Sequence, residues 1–181
     1  MTYPTFNNGD ALPASDLNAI GLWLVKTQTV GAGALSAVVT GAFSSDYNNY
    51  FVTWTGGTGS VGGAQLRIAF NVDTGNNYYS NIITQTAGVA TVNGQAFGAL
   101  VGFTVVGYVD TGDTSLSLTI NNPNRALNTN FFGSFNCLGG SSQVGTVGGW
   151  SIATGANTGF TLYPSSGTIS NGTIRVYGFR N

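Results

Sequence analysis

The order of apolar and polar residues changes character about twenty residues into the chain. From Leu22 onward, β-branched and aromatic residues gather in short runs, and clusters of Gly, Asn, Asp and Ser break them roughly every eight to twelve residues. The clearest runs have period two. Leu116, Leu118 and Ile120 alternate with Ser115, Ser117 and Thr119, and Leu66, Ile68 and Phe70 alternate with Gln65, Arg67 and Ala69. Alternation sends neighbouring side chains to opposite faces of a pleat, so each run predicts a strand with one apolar face. Further strands are expected at Trp23–Thr29, Leu35–Thr40, Tyr50–Thr55, Ile82–Thr86, Leu100–Tyr108, Phe131–Cys137, Trp150–Thr154, Gly159–Tyr163 and Thr173–Phe179. This many short strands predict an all-β fold, an antiparallel β-sandwich of jelly-roll-like type. Asn76-Asn77, Asn93-Gly94, Asn121-Asn122-Pro123-Asn124 and Asn171-Gly172 supply turns, because Asn and Gly tolerate positive φ. No internal repeat is visible.

The first twenty residues break this rhythm. Pro13 stands near a helix start, and Leu17 and Ile20 are three apart, which predicts a helical turn in a short N-terminal arm. The expected organisation is an arm over residues 1–20 and a β-sandwich body over 21–181. Tyr3, Phe6, Leu12, Leu17 and Ile20 lie in a segment too short to bury them unaided, so the arm needs a receiving surface.

Composition narrows the function classes. Only 6% of the 181 residues are charged, against roughly a quarter in ordinary soluble domains, so Ser, Thr, Asn, Gln and backbone must solvate the surface. Such a surface favours association, and a homo-oligomer is expected. Five basic and six acidic residues are spread without runs, which leaves no basic patch for nucleic acid. No apolar stretch is long enough to cross a bilayer as a helix, and the N-terminus lacks the pattern of an export signal. Synthesis in a cytoplasm is therefore expected, without a membrane partner. Cys137, the single cysteine, has no intrachain disulfide partner and reads as a small buried apolar residue.

Candidate chemistry is sparse. The chain has no His and no Glu, which excludes Ser-His-Asp and Cys-His catalysis and His-ligated metal sites within one chain. Asp73-Thr74-Gly75 and Asp110-Thr111-Gly112 repeat a tripeptide that aspartic proteases use, where two carboxylates share a proton. The two triplets stand close together in sequence for separate protease lobes, and Asn76 or Asp113 follows where a small hydroxyl residue is usual. Turn chemistry at a strand end is the favoured reading, and no catalytic residue is expected. Gly57-Thr58-Gly59-Ser60-Val61-Gly62 matches the dinucleotide-binding glycine pattern. The following Gln65–Phe70 alternates as a strand where a helix is needed, so the segment is expected to be a hairpin loop, with no cofactor. Asp110 and Asp113 could reach a Ca²⁺ only as two carboxylates without further acidic ligands, and a solvated turn is preferred. Asn171-Gly172-Thr173 fits a glycosylation acceptor but reads as a turn without export.

The remaining signal is aromatic. Tyr47, Tyr50, Trp54, Tyr78, Tyr79, Phe131 and Phe132 stand among Asn, Thr and Gly. Rings in this setting serve a core, a subunit interface or a stacking platform for sugars. The core or interface reading is favoured, with Tyr47, Tyr50, Trp54, Tyr78 and Tyr79 as candidate interface or carbohydrate contacts.

Three segments together resemble structural proteins of tailed bacteriophages, as found in environmental and cyanobacterial phages. They are YPTFNNGDALPASDLNAIG near the N-terminus, FSSDYNNYFVTWTGGTGS running into LRIAF, and the terminal GTIRVYGFRN. The resemblance covers about a third of the chain and leaves Ile82–Thr158 unmatched. It implies a β-sandwich on a capsid or tail, commonly a homotrimer, with the major capsid protein or a tail protein as partner. Head decoration (cement) protein, head fibre and tail fibre all remain open, as does a fibre tip that recognises host-surface glycan. The arm residues Tyr3, Phe6, Leu12, Leu17 and Ile20 are the expected attachment to the virion.

Overall fold

The structure is a computed structural model and describes residues 21–71 and 73–179. The described residues form thirteen strands and no helix. In chain order these are β1 (Leu22–Thr29), β2 (Ala37–Val39), β3 (Asn49–Gly59), β4 (Ala64–Phe70), β5 (Tyr78–Thr86), β6 (Val92–Leu100), β7 (Thr104–Val109), β8 (Thr114–Asn121), β9 (Thr129–Cys137), β10 (Gln143–Ser151), β11 (Phe160–Pro164), β12 (Ile169–Ser170) and β13 (Thr173–Phe179). A large antiparallel sheet runs β1-β13-β3-β8-β9-β10-β5-β6, with β12 added on β3, and a smaller one runs β2-β11-β4-β7. The two sheets pack as a β-sandwich, as the period-two pattern predicts.

One core lies between them. Tyr50, Val52 and Trp54 of β3 and Leu116, Leu118 and Ile120 of β8 face Leu66 and Ile68 of β4 and Leu162 of β11, all essentially inaccessible to solvent. The alternation that makes each run a strand is what delivers these side chains to a single layer. Tyr78 sits in the same layer. Its hydroxyl accepts the Phe70 N–H at 2.8 Å and lies 3.2 Å from the Asp73 carbonyl, which satisfies the buried oxygen. Burial, above all, raises the Tyr78 pKa and keeps the phenol neutral. Cys137 is buried and free, and burial pushes its thiol up as well, so it serves as an apolar filler.

Four segments depart from the sequence expectation. Asn93-Gly94 is no turn: both residues lie in β6, opposite Thr84 and Ile83 of β5. The glycine-rich stretch before Trp150, which reads as loop, is β10, while Ile152–Thr154 lie beyond its end. The run from Leu100 to Tyr108 is broken at Val101–Phe103, with Gly102 at φ +70°, and divides into the end of β6 and most of β7.

Aromatic packing explains why glycines stand inside strands. A Cβ on Gly145 would lie 2.7 Å from the Phe135 ring, one on Gly149 2.4 Å from the Phe131 ring, and one on Gly178 2.4 Å from the Tyr47 ring. Each missing side chain leaves room for a ring from the core. The expected hairpin at Gly57–Gly62 is also corrected. β3 continues through Gly59, and Ser60–Gly63 links it to β4 in the other sheet. The arm over residues 1–20, with its expected helical turn, lies outside the described residues.

Candidate interaction face

Strand register defines the outer face of the large sheet, the side turned away from the core. One row across it reads Leu24, Tyr177, Phe51, Thr119, Phe132 and Gly148. The next row reads Leu22, Phe179, Asn49, Asn121, Asn130, Trp150 and Tyr79. On the other side of the first row lie Arg175, Thr53, Ser117, Ser134, Thr146 and Ile83. Across these three rows Arg175 is the single charged residue. Large apolar side chains stay in solvent instead: Leu24 and Phe132 are each 57% exposed and Ile83 56%.

A broad open trough of about 620 Å³ follows this face where β3, β8, β9, β10 and β5 run side by side. Hydroxyls and amides floor it, among them Thr53, Ser115, Ser117, Ser134 and Asn136, while Ile83, Val92 and Val144 form its apolar flank. Ser117 and Ser134 hydroxyls lie 3.1 Å apart, so they engage each other across the β8–β9 pair. The lining carries no ionisable group, which fits the trough for neutral surfaces. Further along the same face Tyr79 and Trp150, directly opposite in the β5–β10 pair, stack with centroids 5.5 Å apart and planes 15° from parallel.

The sequence-chosen aromatics divide. Tyr50, Trp54 and Tyr78 are fully buried core residues and present nothing to a ligand or partner. The reason is strand phase: each occupies an inward position of β3 or β5. Tyr47 is half-buried and packs edge-on against Tyr50 at 5.8 Å. Only Tyr79 of the five belongs to the outer face. Trp150 was missed as its neighbour because the glycines of β10 hide the strand, and alternation from Val147 would have placed it outward. Phe131 is buried and Phe132 is outward, as their adjacency in one strand requires.

Asp73 and Asp110 are not brought together. Each Asp-Thr-Gly triplet forms a corner where the chain leaves the small sheet for the large one, β4 to β5 and β7 to β8. β4 and β7 pair antiparallel, so the corners lie at opposite ends of a seven-residue strand, roughly 20 Å apart at the rise of a β-strand. No shared proton is feasible at that separation. The turn reading holds, but neither carboxylate is solvated: Asp73 is 3% and Asp110 0% exposed.

Local donors hold both. Asp73 Oδ1 accepts the Asn77 amide at 2.8 Å and the Gly75 N–H at 3.2 Å, and its Oδ2 accepts the Ser151 hydroxyl. Asp110 Oδ1 accepts the Thr111 N–H at 2.7 Å, and Oδ2 accepts the Ser141 N–H at 2.8 Å. Burial alone would raise the Asp110 pKa, but the N–H groups of Thr111, Ser141 and Gly140, with the Thr111 hydroxyl, lower it overall. With both oxygens committed to these donors, Asp110 has little to offer a Ca²⁺ beside exposed Asp113. Among the described residues no group of three or more metal-ligating side chains is found.

The arm residues Tyr3, Phe6, Leu12, Leu17 and Ile20 lie outside the described residues. No protein-family model matches the chain, and no curated protein is significantly similar to it.

Proposed function

We propose that the chain is a non-enzymatic structural component of a tailed-phage virion, a capsid decoration (cement) or fibre protein that works as a homo-oligomer on a capsid or tail. The observation that carries this reading is the outer face of the large sheet, where Leu24, Ile83 and Phe132 are more than half exposed and only Arg175 is charged across three rows. Apolar surface of that extent is stabilising when covered and promotes association when bare. The resemblance of three segments to phage virion proteins supplies the kind of assembly. Labelled particles provide the test. Many copies spread over the head are expected for a decoration protein, and absence of the chain from purified particles overturns the reading.

The stacked Tyr79–Trp150 pair on the same sheet face as an uncharged trough favours one second reading, a fibre tip that binds host-surface glycan. A few copies confined to a tail tip is the result that selects it.

Attachment is assigned to residues 1–20. Deleting them should leave a folded β-protein of nearly unchanged oligomeric mass that incorporates poorly into particles. Circular dichroism, light scattering and particle composition together read the outcome. Normal incorporation would move the attachment site to the sandwich.

A further inference from the structure

A sheet edge presents unpaired N–H and C=O groups, and folded proteins shorten, bend, charge or cover such edges to prevent uncontrolled pairing. Three of the four edges here are managed in those ways. β1 carries a bulge between Leu24 and Lys26 and the only lysine of the chain. β2 is three residues long, and Gln28 Nε2 donates to its Val38 carbonyl at 2.9 Å. β7 is buried along its whole length under the large sheet.

The fourth edge, β6, is left open along most of its length. It is nine residues long, lacks proline and charge, and is exposed at all but Phe97 and Leu100. Its irregularity is confined to the far end, where Ala99 has φ +50° and the register with β5 shifts, so Val92–Phe97 remains regular strand. Among the described residues β5 is its only partner strand.

We propose that β6 is a self-pairing edge, and that its occupant is the β6 of a second copy of this chain, antiparallel across a twofold axis. Charge favours that occupant. From Thr74 to Val109 the chain carries no Asp, Glu, Lys or Arg, so two β6 edges with their flanking strand and loops meet without repulsion. Symmetry agrees, since an antiparallel pair of identical strands is an isologous contact that closes at two copies. Pairing β6 with a different edge of the next copy, as a ring of three would need, requires the bulged, lysine-bearing β1, the three-residue β2 or the buried β7. In the twofold pair the residue at the axis stands opposite its own copy, so a register centred on Gly94 sets Gly94 against Gly94, and apolar Val92, Ile83 and Val144 flank the seam on the outer face. The inference rests on the edge alone and holds wherever the protein resides.

Two glycines make a matched test. A Cβ on Gly94 or on Gly31 meets nothing within 4 Å, so lysine fits either site of the single chain. Gly94 is on the open edge strand, whereas Gly31 lies in the β1–β2 connection, away from that edge and from the outer face of the large sheet. Light scattering at micromolar concentration should give twice the 18.6 kDa chain mass for wild type and Gly31→Lys, and the single-chain mass for Gly94→Lys. As a second measurement, Gly94→Cys should give an oxidation-dependent band of twice the chain mass on a denaturing gel. A wild type of one or three chains, a Gly94→Lys protein still at double mass, or no Gly94→Cys cross-link overturns the proposal. Equal loss of mass in both lysine variants also overturns it, because Gly31 is remote from the edge. A single-chain wild type whose β6 amides resist hydrogen exchange would assign the edge to another segment of the same chain.

Discussion

Asp110→Asn should destabilise the protein by about 2 kcal/mol, the scale of losing a charge-assisted hydrogen bond and stranding its donor. Two connections donate to this carboxylate, and a third segment holds the main chain of the same residue. Its own β7–β8 corner supplies the Thr111 N–H, the β9–β10 connection supplies the Ser141 N–H, and Gly59 donates to the Asp110 carbonyl at 2.7 Å. Gly139 approaches so closely that a Cβ there would lie 2.0 Å from Oδ1. An asparagine keeps one acceptor and turns the other oxygen into a donor, which faces an N–H in place of accepting it. A chain of this size should lose roughly 5 °C in Tm, readable by calorimetry.

The pH dependence follows in sign. The folded-state pKa of Asp110 lies below its unfolded value, so folding favours the ionised form. That stability is fully present above the usual aspartate range near 3.9, is lost as pH falls through the lower folded value, and is absent in Asp110→Asn. Acid should therefore narrow the gap between wild type and variant. A gap that is constant or widens between neutral pH and pH 3 would count against a role for the charge.

The same corners show where sequence reasoning reaches its limit. Period-two alternation in Leu66–Phe70 and Leu116–Ile120 reports burial directly, because one face of each strand meets the core, and these strands were legible. β6 and β10 were not. In β6 the inward side is only partly covered and Asn93-Gly94 imitates a turn, while in β10 glycines replace the inward apolar residues to admit Phe131 and Phe135. The duplicated Asp-Thr-Gly was legible as turn chemistry, yet its placement at two sheet-to-sheet corners depends on which strands pair, and local sequence does not encode that. The outer face was half legible. Tyr79 stood out as an aromatic among amides, but separating it from Tyr78 requires knowing which phase of β5 faces inward, and Trp150 became visible only once β10 existed.

The glycine pattern at Gly57–Gly62 owes its first glycine to Trp54, and a double-mutant cycle should expose the dependence. Trp54 is fully buried, and its indole Nε1 donates to the Asn171 carbonyl at 3.3 Å. The β3 register shifts between Trp54 and Gly57, and this bulge folds the strand back so that the indole lies over Gly57, where a Cβ would stand 2.0 Å from the ring. Gly172 closes the other side, its Cβ position 2.7 Å from Nε1. Trp54→Ala should cost about 4 kcal/mol, the usual scale for emptying a large aromatic site in a core. Gly57→Ala should cost about 2 kcal/mol by overpacking, because the ring is hemmed in and cannot retreat. In the Trp54→Ala background that second cost should fall close to zero, since the added methyl then enters the cavity the indole has left. Denaturant unfolding of the four proteins measures the coupling directly. Additive losses would mean that Gly57 is needed for the backbone of the bulge and that the indole is incidental to it.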